Sequence, residues 1–142
     1  MPRSAARLLP LVAFAFSLSG CLTNSEDEVL MTNKTQVALR AEQTRAFDTA
    51  DRLATLRAVV ATLQDLGFVV DKADDVLGTV SGTKLSGYSM RMTVTVRSNG
   101  DKQVLVRASA QYNIEAVSDA APYQQFFDAL SKSMYLAANQ ID

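Results

Sequence analysis

Residues 88–114 read Y-S-M-R-M-T-V-T-V-R-S-N-G-D-K-Q-V-L-V-R-A-S-A-Q-Y-N-I, and this stretch decides the fold. From Tyr88 to Val96 the even positions are Tyr, Met, Met, Val and Val, while the odd ones are Ser, Arg, Thr and Thr. From Val104 to Ile114 the even positions are again mostly apolar, and the odd ones mainly Arg, Ser, Gln and Asn. Side chains alternate across a strand, so each segment reads as a strand with one face for a core and one for water. Asn99-Gly100 marks a hairpin between them. A two-residue Asn-Gly loop would place the two apolar rows on opposite faces and expose one of them. An odd-numbered loop avoids this. Taking Ser98-Asn99-Gly100 as the loop predicts Gly100 in the left-handed region, Arg97 opposite Asp101, Met92 opposite Val106 and Val94 opposite Val104. It also sets Arg91 opposite Arg107 on the polar face, a pair that needs an anion or carboxylate between them. A register two residues away pairs Arg91 with Ser109 and removes that need.

Upstream of the hairpin, residues 36–47 alternate with Val37, Leu39 and Ala41 on one side, which predicts a strand. Its polar residues Arg40, Glu42, Gln43 and Arg45 form either a docking edge or a charged edge that blunts aggregation. Asp48 is placed to cap a helix that runs to about Leu66, with Asp51 in its first turn. Leu53, Leu56, Val59, Val60, Leu63 and Leu66 recur at spacings of three and four, giving one apolar stripe, and Gly67 follows as the stop. Phe68–Asp71 reads as a short strand, residues 72–75 as a turn, and Leu77–Leu85 as a further strand ended by Ser86-Gly87. A last helix begins at Ser118-Asp119, with Pro122 tolerated in its first turn. Its stripe is Tyr123, Phe127, Leu130, Met134, Ala137 and Ile141, widened by Phe126 and Tyr135. That stripe packs on the domain's own sheet or, less simply, on a partner helix. The predicted order is β-α-β-β-β-β-α, an α+β domain of two layers with both helices on one face of an antiparallel sheet. This arrangement resembles the helix-grip folds and, among envelope proteins, the C-subunit lipoprotein of the β-barrel assembly machine. The resemblance is one of topology and assigns no functional residue.

The N-terminus reads as an address. Arg3 and Arg7 precede a mostly apolar run from Leu8 to Leu18, too short to span the ~30 Å hydrocarbon core of a bilayer as a helix. The run ends Leu18-Ser19-Gly20-Cys21, and Cys21 is the only cysteine of the 142 residues. This segment resembles a bacterial lipoprotein signal. The resemblance implies a signal peptide over residues 1–20, transfer of a diacylglyceryl group to the Cys21 sulfur, cleavage between Gly20 and Cys21, and acylation of the new amino terminus by a fatty acyl chain such as palmitate. Several chains on one residue anchor firmly where one holds only marginally. Leu22 rather than Asp after the cysteine implies sorting to the periplasmic side of the outer membrane in a Gram-negative cell. Residues 21–35 then form a flexible, mostly polar tether, and 36–142 a single domain. The stretches Gln43-Thr44-Arg45-Ala46-Phe47-Asp48-Thr49 and Leu63-Gln64-Asp65-Leu66-Gly67-Phe68 are similar to a family of small, uncharacterised proteobacterial outer-membrane lipoproteins. That similarity implies a location and no activity.

Composition narrows the chemistry. The chain has 14 basic and 15 acidic residues, no histidine and no tryptophan, with a mean hydropathy of +0.04. The lack of histidine and of a second cysteine excludes Ser-His-Asp and Cys-His catalysis, imidazole or thiolate zinc sites, and an internal disulfide. Without Arg3 and Arg7 the mature chain carries 12 basic against 15 acidic residues, a net −3, which offers no global field for nucleic acid. Gly78-Thr79-Val80-Ser81-Gly82-Thr83-Lys84 lacks the adjacent Gly-Lys-Ser/Thr and the following helix of a phosphate loop. Asp71, Asp74 and Asp75 lack the spacing and the distal Glu of a calcium loop. No metal, cofactor or enzyme is expected. The site residues singled out are Cys21 for lipidation and Arg91, Arg107, Arg40 and Arg45 for contact with a partner or an anion. Two functions follow as expectations: a non-enzymatic accessory or scaffold subunit of an envelope assembly or transport complex, or a carrier of a small hydrophobic ligand. A carrier cavity would be lined by Tyr88, Met90, Met92, Tyr112, Phe126, Phe127 and Met134.

Overall fold

The structure, a computed structural model, describes residues 35–139. Within them the elements run α1 (35–42), β1 (Thr44–Phe47), α2 (Arg52–Asp65), β2 (Val69–Asp74), β3 (Thr79–Leu85), β4 (Ser89–Asn99), β5 (Gln103–Tyr112), β6 (Glu115–Ala116) and α3 (Ala121–Asn139). The fold is α+β with one antiparallel sheet in the order β1-β5-β4-β3-β2. The short β6 shares the outer edge of β5 with β1, the two lying end to end along it.

The sequence and the structure part company first at residues 36–47. The predicted strand is two elements: a helix to residue 42, then a strand from Thr44. Ala38, Leu39, Arg40, Ala41 and Glu42 are good helix formers, and propensity prevails over the apparent alternation. Leu39 packs against the core, whereas Val37 is exposed. The cap of α2 is likewise Asp51, not Asp48: its carboxylate accepts from the Ala54 N–H at 2.8 Å. Asp48 accepts instead from Gln103 Nε2 at 2.6 Å. At the other end of α2, the Gly67 N–H donates to Gln64 O and the Phe68 N–H to Leu63 O, both at 2.9 Å. This paired closure is the Schellman stop that the Leu66-Gly67-Phe68 stretch implies.

The β4–β5 hairpin has the expected parity but a different register. Asn99 pairs with Gln103, so the loop is the three residues 100–102, and Gly100 opens it with φ 68°. Val96 therefore faces Val106, Val94 faces Ala108 and Met92 faces Ala110. Both apolar rows stay on one face, because a shift of the partner by an even number of residues preserves the alternation. Arg91 now faces Gln111, and Arg107 faces Thr95.

One face of β3, β4 and β5 is packed. Val80, Met92, Val94, Val96, Val104 and Val106 are almost fully buried there, against Val59 and Leu63 of α2 and Tyr123, Phe126, Phe127 and Leu130 of α3. The α3 stripe thus closes on its own sheet, and Tyr135, expected to widen it, is 68% exposed. Leu53, expected on the α2 stripe, is 46% exposed.

Two polar clusters fasten this core. Arg52, the first residue of α2, donates from Nη2 to the carbonyls of Asp75 (2.6 Å) and Val76 (3.0 Å) and from Nε to that of Val96 (3.3 Å). It pins the β2–β3 turn to β4, where the Val96 N–H also donates to Gly78 O at 2.8 Å. The second cluster fills the gap that β1 and β6 leave along the edge of β5. The Ala108 N–H donates to Gln43 O at 2.8 Å, and the Ala110 N–H donates to Tyr123 Oη at 3.2 Å. Tyr123 Oη also accepts from Gln43 Nε2 at 3.2 Å and donates to Val117 O at 2.7 Å. A fully buried tyrosine completes the edge that a longer strand would otherwise pair.

Candidate functional site

Beyond the core, the described residues present an outward face of the sheet and a cleft at one end of it. The register fixes the outward face row by row. Thr83, Arg91 and Gln111 form one row; Ser81, Thr93 and Ser109 the next; Thr79, Thr95, Arg107 and Thr44 a third; and Arg97, Leu105 and Ala46 a fourth. Strands β1, β3, β4 and β5 contain no Asp or Glu at all. Arg91, Arg97 and Arg107 are exposed on this field of hydroxyls, and among the described residues none of them has a hydrogen-bond or ion-pair partner. Arg91 and Arg107 are not opposed. They lie four residue positions apart along the sheet, about 13 Å at ~3.3 Å per residue. The expected cross-strand clash is therefore absent, and β4 and β5 carry spread positive charge rather than a two-arginine clamp, with Asp71 and Asp74 of β2 at the edge of the face, where Thr83 Oγ1 donates to Asp71 at 2.6 Å.

The other two arginines separate from this face. Arg40 is exposed on α1. Arg45 sits over the Phe127 ring at 4.9 Å and contacts Asp128 at 3.4 Å, so it ties β1 to α3. Both partners of that ion pair are well solvated, and its contribution is small. No docking edge forms from Arg40 and Arg45, because the first half of the predicted strand is helical. Gly20 and Cys21 lie outside the described residues.

The cleft has a volume of about 320 Å³ and opens between the far ends of β3 and β4, the end of α2 and the first turn of α3. Phe68, Met90 and Met92 back it, each more than nine-tenths buried, and Tyr88 and Tyr112, whose rings meet edge to face at 4.8 Å, line it more openly. Four of the seven residues expected in a cavity line it. Phe126 and Phe127 are instead fully buried in the core, and Met134 lines a separate groove beside Asp51 and Tyr135. Tyr112 is held above the ordinary tyrosine value of 10.0, first by burial and then by the neighbouring Tyr88 hydroxyl. It is a neutral phenol at physiological pH, a hydrogen-bonding group rather than a base.

One charged residue of the cleft escapes the sequence reading. Lys84 shares the inward row of β3 with Val80 and Gly82, opposite Met90. A lysine on an apolar row is the signal that points to it. Its Nζ donates to the Leu66 carbonyl at the end of α2, at 2.8 Å, and stands 5.8 Å from the Phe68 ring centroid. Asp119, also in the lining, accepts from the Ala121 N–H at 3.1 Å just before the first turn of α3.

The glycine-rich run 78–84 lies in β3 and its preceding turn, a setting with no helix to cradle a phosphate. Among the described residues, no group of three His, Cys, Asp or Glu could hold a metal ion, and no helix is long and apolar enough to cross a membrane. No family model and no curated protein matches the chain.

Proposed function

We propose that the protein is a lipid-anchored, periplasm-facing outer-membrane lipoprotein. In this reading it is a non-enzymatic accessory or scaffold subunit of an envelope assembly or transport complex. Its outward sheet face would dock an acidic surface of a partner protein. The anchor is supported by the Leu18-Ser19-Gly20-Cys21 motif and by the position of the only cysteine within it. The docking role is supported by one observation above all. Four adjacent strands carry no acidic residue, while Arg91, Arg97 and Arg107 stand exposed on the outward face and, among the described residues, have no hydrogen-bond or ion-pair partner. Arginine is well suited to carboxylates because its planar fork bonds them in pairs. The surrounding Ser and Thr hydroxyls supply neutral hydrogen bonds to a polar interface. A likeness to the helix-grip folds and to the C-subunit lipoprotein of the β-barrel assembly machine fits this reading as an expectation of topology.

A photo-reactive residue at Ser109, in the middle of the outward face, tests the proposal in living cells. The expected result is a protein adduct whose contact peptide is acidic. It should fall about tenfold when Arg91, Arg97 and Arg107 are reversed to Glu, because rim charges govern association. The same probe at Ala61, exposed on α2, should give no such adduct. Equal labelling from Ser109 and Ala61, or none from Ser109, would contradict docking on this face.

A second reading is favoured by the cleft. Tyr88, Met90, Met92 and Tyr112 converge on about 320 Å³, within the range of small-ligand sites. In that reading the domain carries a small hydrophobic ligand.

A further inference from the structure

The two charges of the cleft are not alike. Lys84 uses one of its three N–H donors on the Leu66 carbonyl and has no carboxylate partner among the described residues. Only the negative end of α2, equivalent to roughly half a charge, opposes its ammonium. The Gln64 and Leu63 carbonyls there are already satisfied by the Gly67 and Phe68 N–H groups, so the helix end is closed without the lysine. Asp119 differs. Its carboxylate sits at the positive end of α3 and bonds the Ala121 N–H, so its charge is matched where it lies. It also repels an anion. The lining therefore holds one cation without a carboxylate partner among the described residues and one anion matched where it lies, beside the apolar side chains of Phe68 and Met90.

We propose that the cleft binds a small amphipathic carboxylate, its carboxylate on Lys84 and its alkyl chain against Tyr88 and the exposed edges of Phe68 and Met90. This rests on the carrier reading and adds to it the charge of the head group and its orientation. A cleft of about 320 Å³ lies at the small end of ligand pockets, which suits a short-chain acid of about ten non-hydrogen atoms. Methionine suits such a lining because its unbranched thioether adapts to an alkyl chain. A ligand this small binds with a Kd of about 0.1–1 mM, given the affinity that each atom contributes.

Octanoate is the probe, and the methionine methyl groups are the readout. The chain has five methionines, two of them in the lining of the cleft. The full-length chain with Cys21→Ser, labelled at the methionine methyl carbons, is titrated with octanoate, octanol and octylamine. Octanoate should shift the Met90 and Met92 resonances saturably and leave Met134 unmoved. Lys84→Gln should weaken octanoate binding about tenfold and leave octanol unchanged, while octylamine binds least. Ser86→Trp, on the exposed rim, should block octanoate without disturbing α2, so the site stays testable even where Lys84→Gln weakens folding. If octanol binds as well as octanoate and Lys84→Gln changes neither, the head-group assignment fails and the carrier reading stands. If none of the three moves Met90 or Met92 at 10-fold above the upper expected Kd, about 10 mM, both fail.

Discussion

Tyr123→Phe lowers the melting temperature by roughly 10–20 °C, the equivalent of about 2–4 kcal/mol at ~4–8 °C per kcal/mol for a domain of this size. The loss is large because the hydroxyl serves three buried partners and the ring serves none of them. Removing it strands the Ala110 N–H, the Gln43 side-chain amide and the Val117 carbonyl in a region without water access. An unmade hydrogen bond to a buried group costs its whole desolvation, about 1–3 kcal/mol each, and partial relaxation of Gln43 keeps the total below the sum. Tyr135→Phe is the control. That side chain is 68% exposed, and its substitution should leave stability within about 0.5 kcal/mol. Thermal unfolding followed by circular dichroism separates the two. If Tyr123→Phe behaves like Tyr135→Phe, the β5 edge is not held by this hydroxyl.

Gly78→Ala is the second large effect, a loss of about 2–4 kcal/mol measured by urea unfolding. Two costs coincide at this residue. Its φ of 69° is left-handed, worth roughly 1–2 kcal/mol to an L side chain. An added Cβ would also stand 2.4 Å from the Val96 carbonyl oxygen and 2.7 Å from Arg52 Nη2. The carbonyl belongs to the central strand, and Arg52 is held by its bonds to Asp75 and Val76, so neither can yield cheaply. Gly100→Ala isolates the first cost. Its φ is 68°, yet a Cβ there meets nothing within 4 Å. Gly78→Ala should cost clearly more than Gly100→Ala. Equal losses would remove the steric argument.

These residues also show where the sequence stops being legible. The hairpin parity was readable because a period of two leaves little freedom once one face must be dry. The register was not, since an even shift of the partner satisfies the same pattern. Gly100 is left-handed in either register, and what differs is its place, opening the loop here rather than closing it. Residues 36–42 defeated the reading differently: three apolar positions in alternation also fall within two helical turns, and propensity then decides. The α2 and α3 stripes were legible because their apolar spacing runs over several turns. Tyr123 looked like one more stripe residue. Its polar role depends on Gln43, 80 positions away, and on the exact length of β1 and β6. The cleft was half legible. Met90 and Met92 alternate correctly toward it, but so do the core residues, and whether Phe126 lines a void or fills one is a matter of packing. Lys84 was visible in principle as a charge on an apolar row. Parity places Arg91 and Arg107 on the outward face but does not single out Arg97, and the lack of partners of all three among the described residues fits the acid-free composition of β1, β3, β4 and β5.

Every functional inference depends on where the domain is held. The most direct test is intact-mass and tandem mass spectrometry of the protein extracted from the membranes of a Gram-negative host. The expected species begins at Cys21 and carries a diacylglyceryl thioether with an acylated amino terminus. Cys21→Ser should abolish both the modification and the retention in the outer membrane. A protein that retains residues 1–20, or begins at another residue with an unmodified Cys21, would contradict the account.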